Sequence, residues 1–324
     1  MLSISEYREA VTEYLHQKIK VKEPANLYEP MLYILEQGGK RLRPVLVLMA
    51  TEIFEGNYKK ALDAALAIEV FHNFSLVHDD IMDDAPLRRG KETVHEKWDI
   101  NTGILSGDAM LINAYQLFES YEGDTFKELS TLFTKTAIQV CEGQQYDIDF
   151  ETRDNVSIED YLLMIEYKTA VLVGASLEMG AIVAGTSKEC KEAIYQYGRL
   201  LGIAFQLQDD YLDAFGDPDT FGKQPGGDII ENKKTFLYLK TLELAERSEA
   251  LQLEHLYSIS PAENSGKIES VKALFESSGA AELTRKEIEN YTDKAFRVLD
   301  MIELPEARKE PLRKFGKMLM DRQV

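Results

Sequence analysis

The chain has 324 residues, 44% of them hydrophobic and 29% charged, which excludes collagen-like and wholly disordered proteins. Its 37 basic and 56 acidic residues give a net charge of −19, so nucleic acid and anionic membrane surfaces are not expected as partners. Two widely separated cysteines, Cys141 and Cys190, and a first segment without a secretion-signal pattern favour a reducing, cytoplasmic location without disulfides or a zinc site.

Apolar residues recur at three- and four-residue spacing along nearly the whole chain, whereas alternating β-branched runs are scarce. The pattern predicts an all-α protein, a large helical bundle that forms a single domain over residues 1–324. The stretch 169–187 comes nearest to a membrane span, but Glu178 and three glycines favour a buried core helix, so no span is expected. In chain order, the predicted helices cover residues 5–20, 26–38, 43–54, 58–82, 99–120, 124–151, 157–184, 188–214, 228–248, 265–278, 281–302 and 306–322.

Two long loops interrupt the predicted helices. Residues 84–98 and 215–228 concentrate glycine, proline and charge between strongly apolar segments. Loops of this length often carry function, because a rigid scaffold positions them while their own sequence is unconstrained by packing. The segment 258–268 is predicted to be a surface excursion.

Two aspartate clusters with the same spacing follow apolar helical segments. The first runs from Asp79 to Asp83 (DDIMD) and the second from Asp209 to Asp213 (DDYLD). In each cluster the first and last aspartates share a helix face, where their like charges repel. A divalent cation relieves this repulsion, and carboxylates without nearby histidine or cysteine suit Mg²⁺, which also binds phosphate oxygens. One such motif is typical of a solvated acidic surface, but the pair indicates that the two clusters face each other over an apolar cavity and bind a metal–diphosphate.

Basic segments accompany the first cluster in this otherwise acidic chain. Residues 38–44 (GGKRLRP) place three cations in four positions, and residues 88–91 (RRGK) follow Asp83 closely. Arginine binds phosphate in a bidentate way, and glycine allows the backbone to approach a ligand closely. A single basic run is usually a solvated surface. Because both runs accompany the aspartates, they predict anion binding.

Together these segments resemble the all-trans isoprenyl diphosphate synthases. The resemblance covers about residues 30–240 and rests on GGKRLRP at 38–44, HNFSLVHDDIMDDAPLRRG at 72–90, GQQYD at 143–147, KT at 168–169 and FQLQDDYLDAFGDPDTFGKQPGGD at 205–228. It implies the isoprenoid synthase fold, a homodimer and three Mg²⁺ per active site. The implied reaction is the head-to-tail condensation of isopentenyl diphosphate with an allylic diphosphate, giving a short-chain product such as geranylgeranyl or farnesyl diphosphate.

The resemblance also implies roles for individual residues. The implied magnesium ligands are Asp79, Asp83 and Asp209. The other aspartates of the two motifs, counted with the catalytic residues, are Asp80, Asp210 and Asp213. The allylic diphosphate would be bound by Arg88, Lys168 and Lys233, and isopentenyl diphosphate by Lys40, Arg43, His72 and Arg89. The residues expected near the developing carbocation are Thr169 and Gln206, and a lid over the leaving group would include Lys223.

Product length is expected to depend on what blocks the cavity below the metals. Phe74 precedes Asp79 by five residues, about 7.5 Å along a helix, and the small Ser75 lies next to it. An aromatic residue here, with no insertion before Asp83, resembles the geranylgeranyl-forming pattern. The chain departs from many members of the family at Asn232, where they have glycine before the final catalytic lysine.

Three other classes of protein remain as alternatives. A terpene cyclase would share the fold and the first motif, but such enzymes usually replace the second DDxxD and lack GGKRLRP. A non-catalytic partner subunit of a prenyl synthase would typically lose metal ligands or arginines, which this chain keeps. An acidic helical Ca²⁺-binding module is disfavoured because no EF-hand-like loop of spaced oxygen ligands is present.

Overall fold

The computed structural model describes residues 1–217, 226–261 and 263–321. Within these ranges the chain is helical nearly throughout, and its β-structure is one hairpin of two-residue strands, so the predicted all-α fold is confirmed. The chain divides into two compact units, Met1–Thr134 with Ala175–Glu192 and Lys135–Gly174 with Ala193–Val324. A single domain over residues 1–324 stays a prediction.

Unit 1 is built around one buried helix. Its helices are α1 (Ile4–Lys18), α2 (Ala25–Glu36), α3 (Leu42–Ile53), α4 (Leu62–Met82), α5 (Val94–Lys97) and α6 (Ile100–Gln116). Helix α4 packs against α2, α3 and α6, and its residues from Ala64 to Phe71 are buried without interruption. A helix that is apolar nearly all round must be enclosed on all sides, which accounts for its central place in this unit. A 3₁₀ turn, Tyr58–Ala61, leads into it.

A β-hairpin follows α4 in what was predicted to be an irregular loop. Strands β1 (Leu87–Arg88) and β2 (Lys91–Glu92) pair in antiparallel register, with Arg88 opposite Lys91. The two connecting residues, Arg89 and Gly90, both have positive φ angles, 54° and 75°. Two positive φ angles are what a two-residue hairpin turn requires, and glycine supplies one of them without strain. The hairpin therefore fixes where the paired arginines lie.

Unit 2 has its own hydrophobic core, which includes the fully buried Tyr161 and Phe275. The helices within it are α8 (Ile158–Ile165), α11 (Gly227–Ile230), α12 (Phe236–Leu244), α13 (Arg247–Leu256), α14 (Ser265–Ser277), α15 (Ala280–Met301) and α16 (Glu306–Met320). The helices that contain a boundary between the units are α7 (Gly123–Thr152), α9 (Val171–Ala184) and α10 (Lys188–Phe215). A capping box begins α8, because the Ser157 and Asp160 side chains bond each other's backbone N–H groups.

Two predicted helices are interrupted. The helix predicted over 157–184 contains a π-helical turn, Glu166–Ala170, between α8 and α9. The helix predicted over 228–248 is wrong: α11 ends at Ile230, Asn232 adopts a left-handed conformation, and α12 begins only at Phe236. Helix α13 begins at the end of that predicted helix, and from residue 249 onward it falls where no helix was predicted. A left-handed residue stops helical hydrogen bonding at once, whereas the apolar periodicity continues on both sides of it.

Among the residues that the structure describes, one segment, Ile158–Ala184, is long and apolar enough to cross a membrane by length and composition. In its most apolar stretch, 61% of the residues are buried inside the protein. This burial agrees with the prediction of a core helix in this region.

Candidate active site

The first aspartate cluster lies at the C-terminal end of α4. Asp83 closes the helix, with its backbone N–H directed to the carbonyls of Asp79 and Ile81. The side chain of Asp79 is 19% exposed and that of Asp80 only 1%, so the two neighbours differ in their access to solvent. Carboxylates at this negative end of a helix dipole need a cation, and a donor set of oxygens alone fits a hard ion such as Mg²⁺.

Arg88 of the hairpin supplies positive charge to this cluster. Its Nε and Nη2 atoms each lie 2.7 Å from Asp80 Oδ1, and Nη2 lies 3.5 Å from Asp79 Oδ2. Burial raises the pKa of Asp80, and the hydrogen bond and charge of Arg88 oppose that rise. The second oxygen, Asp80 Oδ2, is buried and has no hydrogen-bond partner within residues 1–217, 226–261 and 263–321. Arg88 is thus held in place by Asp80 while its guanidinium also faces Asp79.

The predicted isopentenyl diphosphate ligands occur together in unit 1. Arg43 Nη1 lies 3.1 Å from His72 Nε2, and Arg89 donates a hydrogen bond to the Gly38 carbonyl. Gly39 allows this approach, because a Cβ atom there would lie 3.0 Å from the Arg89 guanidinium. Lys40 is exposed in the same segment. Burial, and then the positive charges of Arg43 and Arg89, lower the pKa of His72 well below its usual value, so neutral His72 accepts the hydrogen bond from Arg43 through Nε2.

A buried glutamate that the sequence analysis missed lies among these arginines. Glu69 is buried in α4, and burial raises its pKa, whereas the positive charges of Arg41, Arg43 and Arg89 lower it. An isolated buried acid would be costly, but here the surrounding guanidinium groups compensate for it. The available signal was an acidic residue in the middle of an otherwise apolar helix.

The two predicted chain-length residues lie in α4 about one turn before the cluster, toward the N-terminus of the helix. Phe74 is buried, and its ring centroid lies 4.8 Å from that of His78 in an edge-to-face contact and 5.5 Å from that of Phe71. Ser75 directs its hydroxyl to the His72 carbonyl, at 2.8 Å. Phe74 is therefore braced by two aromatic neighbours.

The second aspartate cluster lies near the C-terminal end of α10 in unit 2. Asp209 and Asp213 are half-buried and one helical turn apart. Asp213 accepts a hydrogen bond of 2.9 Å from the backbone N–H of Asp228, so it holds the first turn of α11. Burial, followed by the charges of Asp210 and Asp213, raises the pKa of Asp228 well above its usual value. Asp228 was missed by the sequence analysis although it ends the segment on which the family resemblance rests.

Asp210 lies between these two aspartates in the sequence, and both of its carboxylate oxygens accept hydrogen bonds from other side chains. Its Oδ2 accepts a hydrogen bond from the Tyr161 hydroxyl, and its Oδ1 accepts one of 2.8 Å from Gln206 Nε2. Gln206 in turn accepts a hydrogen bond of 3.0 Å from the Thr169 hydroxyl. Burial raises the pKa of Asp210 to about 7, and the hydrogen bonds from Tyr161 and Gln206 limit the rise. Asp210 thereby fixes the orientation of the Gln206 side chain.

These groups line one cavity in unit 2 whose lining combines charged and apolar side chains. Its charged and amide residues include the predicted Lys168, Gln206, Asp210 and Lys233, and its apolar wall includes Phe150, Tyr161, Met164 and Ile165. Four further charged groups of the lining were not predicted, Asp147, Glu151, Asp228 and Lys234. The Asp147 carboxylate lies 2.6 Å from Lys168 Nζ. A lining that combines charged groups with apolar side chains suits a ligand with a charged head and a hydrocarbon tail.

Lys168 and Thr169 belong to the π-helical turn, which two glycines allow to pack tightly. A Cβ atom on Gly143 of α7 would lie 2.2 Å from the Lys168 backbone nitrogen, and one on Gly202 of α10 would lie 2.7 Å from Ala170 Cα. Turns of this kind are frequent at functional sites, where they redirect side chains. The close backbone contacts fix the direction in which these two predicted site residues enter the cavity.

The backbone before Lys233 accounts for the asparagine at position 232, where many members of the family that the sequence resembles have glycine. Asn232 has a φ of 59°, a conformation that glycine and asparagine tolerate best. Its Oδ1 accepts a hydrogen bond of 2.6 Å from Lys267 Nζ, which also donates to the Ile259 carbonyl. Burial alone would lower the pKa of Lys233, but Glu231, at 2.9 Å, raises it, so Lys233 stays charged. The predicted lid residue Lys223 lies outside the described residues.

Comparison with known proteins adds independent information. The model of the polyprenyl synthetase family matches residues 24–275. The chain is 36% identical to the geranylfarnesyl diphosphate synthase of Natronomonas pharaonis, over 94% of this chain and 93% of that protein. It is also 36% identical to the geranylgeranyl pyrophosphate synthase of Geoglobus acetivorans, over 93% and 92% of the two chains. A crystal structure of a geranylgeranyl pyrophosphate synthase superposes with a TM-score of 0.96 at 53% identity, covering 100% of both chains.

Proposed function

This chain belongs to the polyprenyl synthetase family, and from that membership we infer that it is a short-chain prenyltransferase that joins isopentenyl diphosphate to an allylic diphosphate. The family resemblance predicted from the motifs is confirmed. The single observation that carries the assignment is the family match over residues 24–275, which includes both complete DDxxD motifs.

The aspartate motifs are proposed to hold the metal. Asp79, Asp83 and Asp209 would bind Mg²⁺, three ions per active site, and bound Mg²⁺ supplies the positive charge that stabilises a leaving diphosphate. The oxygen-only donor sets of both motifs and the guanidinium of Arg88 beside Asp79 support this role. Asp210, bonded to Tyr161 and Gln206, acts as a positioning residue in this proposal.

The basic residues are proposed to bind the two substrates. Arg88, Lys168 and Lys233 bind the allylic diphosphate, so that its C–O bond ionises to an allylic cation. The isopentenyl diphosphate, whose double bond attacks this cation, is bound by Lys40, Arg43, His72 and Arg89. The released diphosphate then takes the final proton, so no protein nucleophile is required.

The remaining polar and apolar groups protect the cation. The Thr169 hydroxyl and the Gln206 amide oxygen present partial negative charge, which stabilises it. The apolar wall of the unit 2 cavity, including Phe150 and Met164, excludes water that would quench it. Phe74 is proposed to stop chain growth at geranylgeranyl diphosphate, with farnesyl diphosphate the nearest alternative.

A product assay tests the function directly. The purified protein is incubated with isopentenyl diphosphate, Mg²⁺ and each allylic primer in turn, and the dephosphorylated products are separated by chain length. We expect Mg²⁺-dependent elongation ending at geranylgeraniol. Hydrocarbon products formed without consumption of isopentenyl diphosphate would indicate a cyclase instead, and no product with any primer would indicate a non-catalytic subunit.

Assembly and location complete the proposal. Helix α6 exposes a row of apolar side chains, Ile100, Ile104, Leu105 and Ile112, and we propose that this face pairs in a homodimer. Light scattering after size-exclusion chromatography would measure the mass.

Free Cys141 and Cys190 support a cytoplasmic location, which cell fractionation would check. A single domain over residues 1–324 predicts one cooperative unfolding transition.

A further inference from the structure

The loop that carries the paired arginines brings three potential metal ligands together at its base. Asp84 follows α4, and His95 and Glu96 lie in α5, just beyond the hairpin. Each of the three offers one ligand atom, and these atoms all lie within 4.8 Å of one another. None of the three was predicted as a site residue, and none belongs to the residues proposed above to bind magnesium or substrate.

His95 is the observation that distinguishes this group from an ordinary acidic surface. Its side chain is only 4% exposed, yet neither ring nitrogen has a hydrogen-bond partner among the described residues. Its Nε2 lies 3.8 Å from Glu96 Oε1, too far for a hydrogen bond but on the side where the carboxylates gather. Buried polar atoms are almost always paired, so two unpaired nitrogens on one buried ring indicate a missing partner at this place.

We propose that Asp84, His95 and Glu96 bind a divalent transition-metal ion of the zinc class. One imidazole and two carboxylates form a donor set that suits such an ion, whereas Mg²⁺ prefers oxygen ligands alone. Ligand bonds of about 2.1 Å in tetrahedral geometry place two ligand atoms about 3.4 Å apart, so ligand atoms that now lie within 4.8 Å of one another must approach by up to about 1.4 Å. Asp84 and Glu96 are exposed and can make this adjustment without disturbing the core.

The position of the site indicates what the ion does. Asp84 precedes the hairpin and His95 follows it, so an ion bound by both closes the loop that carries Arg88 and Arg89. At present the loop base is closed by Thr93, whose hydroxyl donates to the Ala85 carbonyl at 2.8 Å. A metal bridge would add a second closure and restrict the two arginines further. This consequence rests on the proposed function, whereas metal binding itself does not.

The test uses the full chain, stripped with a chelator and held in excess Mg²⁺ to occupy the sites that prefer oxygen ligands. Co²⁺ alone is added as the probe, since its visible absorption reports ligand type, and Zn²⁺ is then used to displace it. We expect one Co²⁺ per chain, displaced by Zn²⁺. Asp84→Asn and Glu96→Gln should each lower the Co²⁺ affinity at least about tenfold, because even the loss of a group that only supports a metal ligand typically lowers metal affinity by this factor. The exposed Glu92→Gln, on strand β2, is the matched control and should bind as the wild type does.

The outcomes separate the alternatives. Affinity unchanged in both Asp84→Asn and Glu96→Gln, or no Co²⁺ bound in excess Mg²⁺, would overturn the proposal. These two variants change exposed side chains, so circular dichroism should show wild-type helicity. A KM for isopentenyl diphosphate that is equal with and without Zn²⁺ would refute the positioning role alone. If the product assay fails while Co²⁺ binds as expected, the proposed function is wrong and the metal site stands.

Discussion

The Gly143→Ala substitution tests whether the π-helical turn must sit where it does. The added Cβ would lie 2.2 Å from the Lys168 backbone nitrogen and 2.7 Å from its Cα. An ordinary contact needs about 3.4 Å, so the turn or helix α7 must move by about 1.2 Å. Overpacking of this kind costs about 1–3 kcal/mol. A displacement of about 1 Å at a positioning element can reduce the rate about 10²-fold, so we expect both effects.

A second glycine provides the matched control. Gly266 lies in the first turn of α14, and a Cβ there meets no atom within 4 Å. Both substitutions gain the helix propensity of alanine, at most about 1 kcal/mol, so the difference between the variants isolates the contact with the turn. Urea unfolding should place Gly143→Ala about 1–3 kcal/mol below Gly266→Ala, and steady-state assays should show a large loss of kcat only in Gly143→Ala.

If Gly143→Ala matched Gly266→Ala in both stability and kcat, neither the close contact nor the position of the π-helical turn would matter as described. Equal kcat with lower stability would be a narrower failure. It would mean that α7, which also carries Asp147, takes up the displacement while the π-helical turn and Lys168 keep their places. A Lys168→Met variant, which keeps the backbone contact, should lose activity with near wild-type stability, because its side chain is 28% exposed and its loss opens no large internal space.

Three further predictions concern other parts of the molecule. Asp79→Ala and Asp209→Ala should each lower turnover by at least about 10²-fold with unchanged helicity by circular dichroism, since each removes a proposed ligand of the Mg²⁺ that neutralises the diphosphate. Retained activity in both variants would contradict the metal assignment. Phe74→Ala should lengthen the products, as chromatography would detect, because it empties space braced by Phe71 and His78; an unchanged product distribution would exclude Phe74 as the stop. Burial raises the pKa of Glu69, so its contribution to the free energy of unfolding is fully present below its unfolded-state pKa and declines as pH rises through its folded-state pKa. As pH rises, Glu69→Gln should therefore become more stable relative to the wild type in urea unfolding. Parallel curves of unfolding free energy against pH would show that Glu69 does not titrate in this way.

Hydrophobic periodicity predicted the helices because a helix that is buried on one or more faces has apolar residues at three- and four-residue spacing. Helix α4 is an example, since its apolar residues recur without a polar stripe and it is buried. The hairpin was missed because two-residue strands are too short for an alternating pattern, and of the two turn residues only Gly90 is a usual choice for a positive φ. The π-helical turn was missed for a different reason: it depends on the glycine contacts from α7 and α10, which are distant in sequence.

The candidate site was predictable where residue type and spacing alone define the chemistry. The aspartates and the paired arginines are of this kind. Glu69, Asp147, Tyr161 and Asp228 were not found, because their importance lies in which charges they meet inside the fold. Tyr161, for example, reads as a core aromatic until its hydroxyl is seen bonded to Asp210. A pattern along the chain carries no information about such pairings between distant segments.

The hydrogen bond between Asn232 and Lys267 ties the segment before Lys233 to helix α14. Because α14 lies beyond the stretch in which the family motifs occur, residues outside those motifs also support the segment that carries Lys233. Replacing only the chain beyond α12 by a sequence without lysine at position 267 would leave the Asn232 side chain without this hydrogen bond. The two positions are therefore expected to change together during evolution.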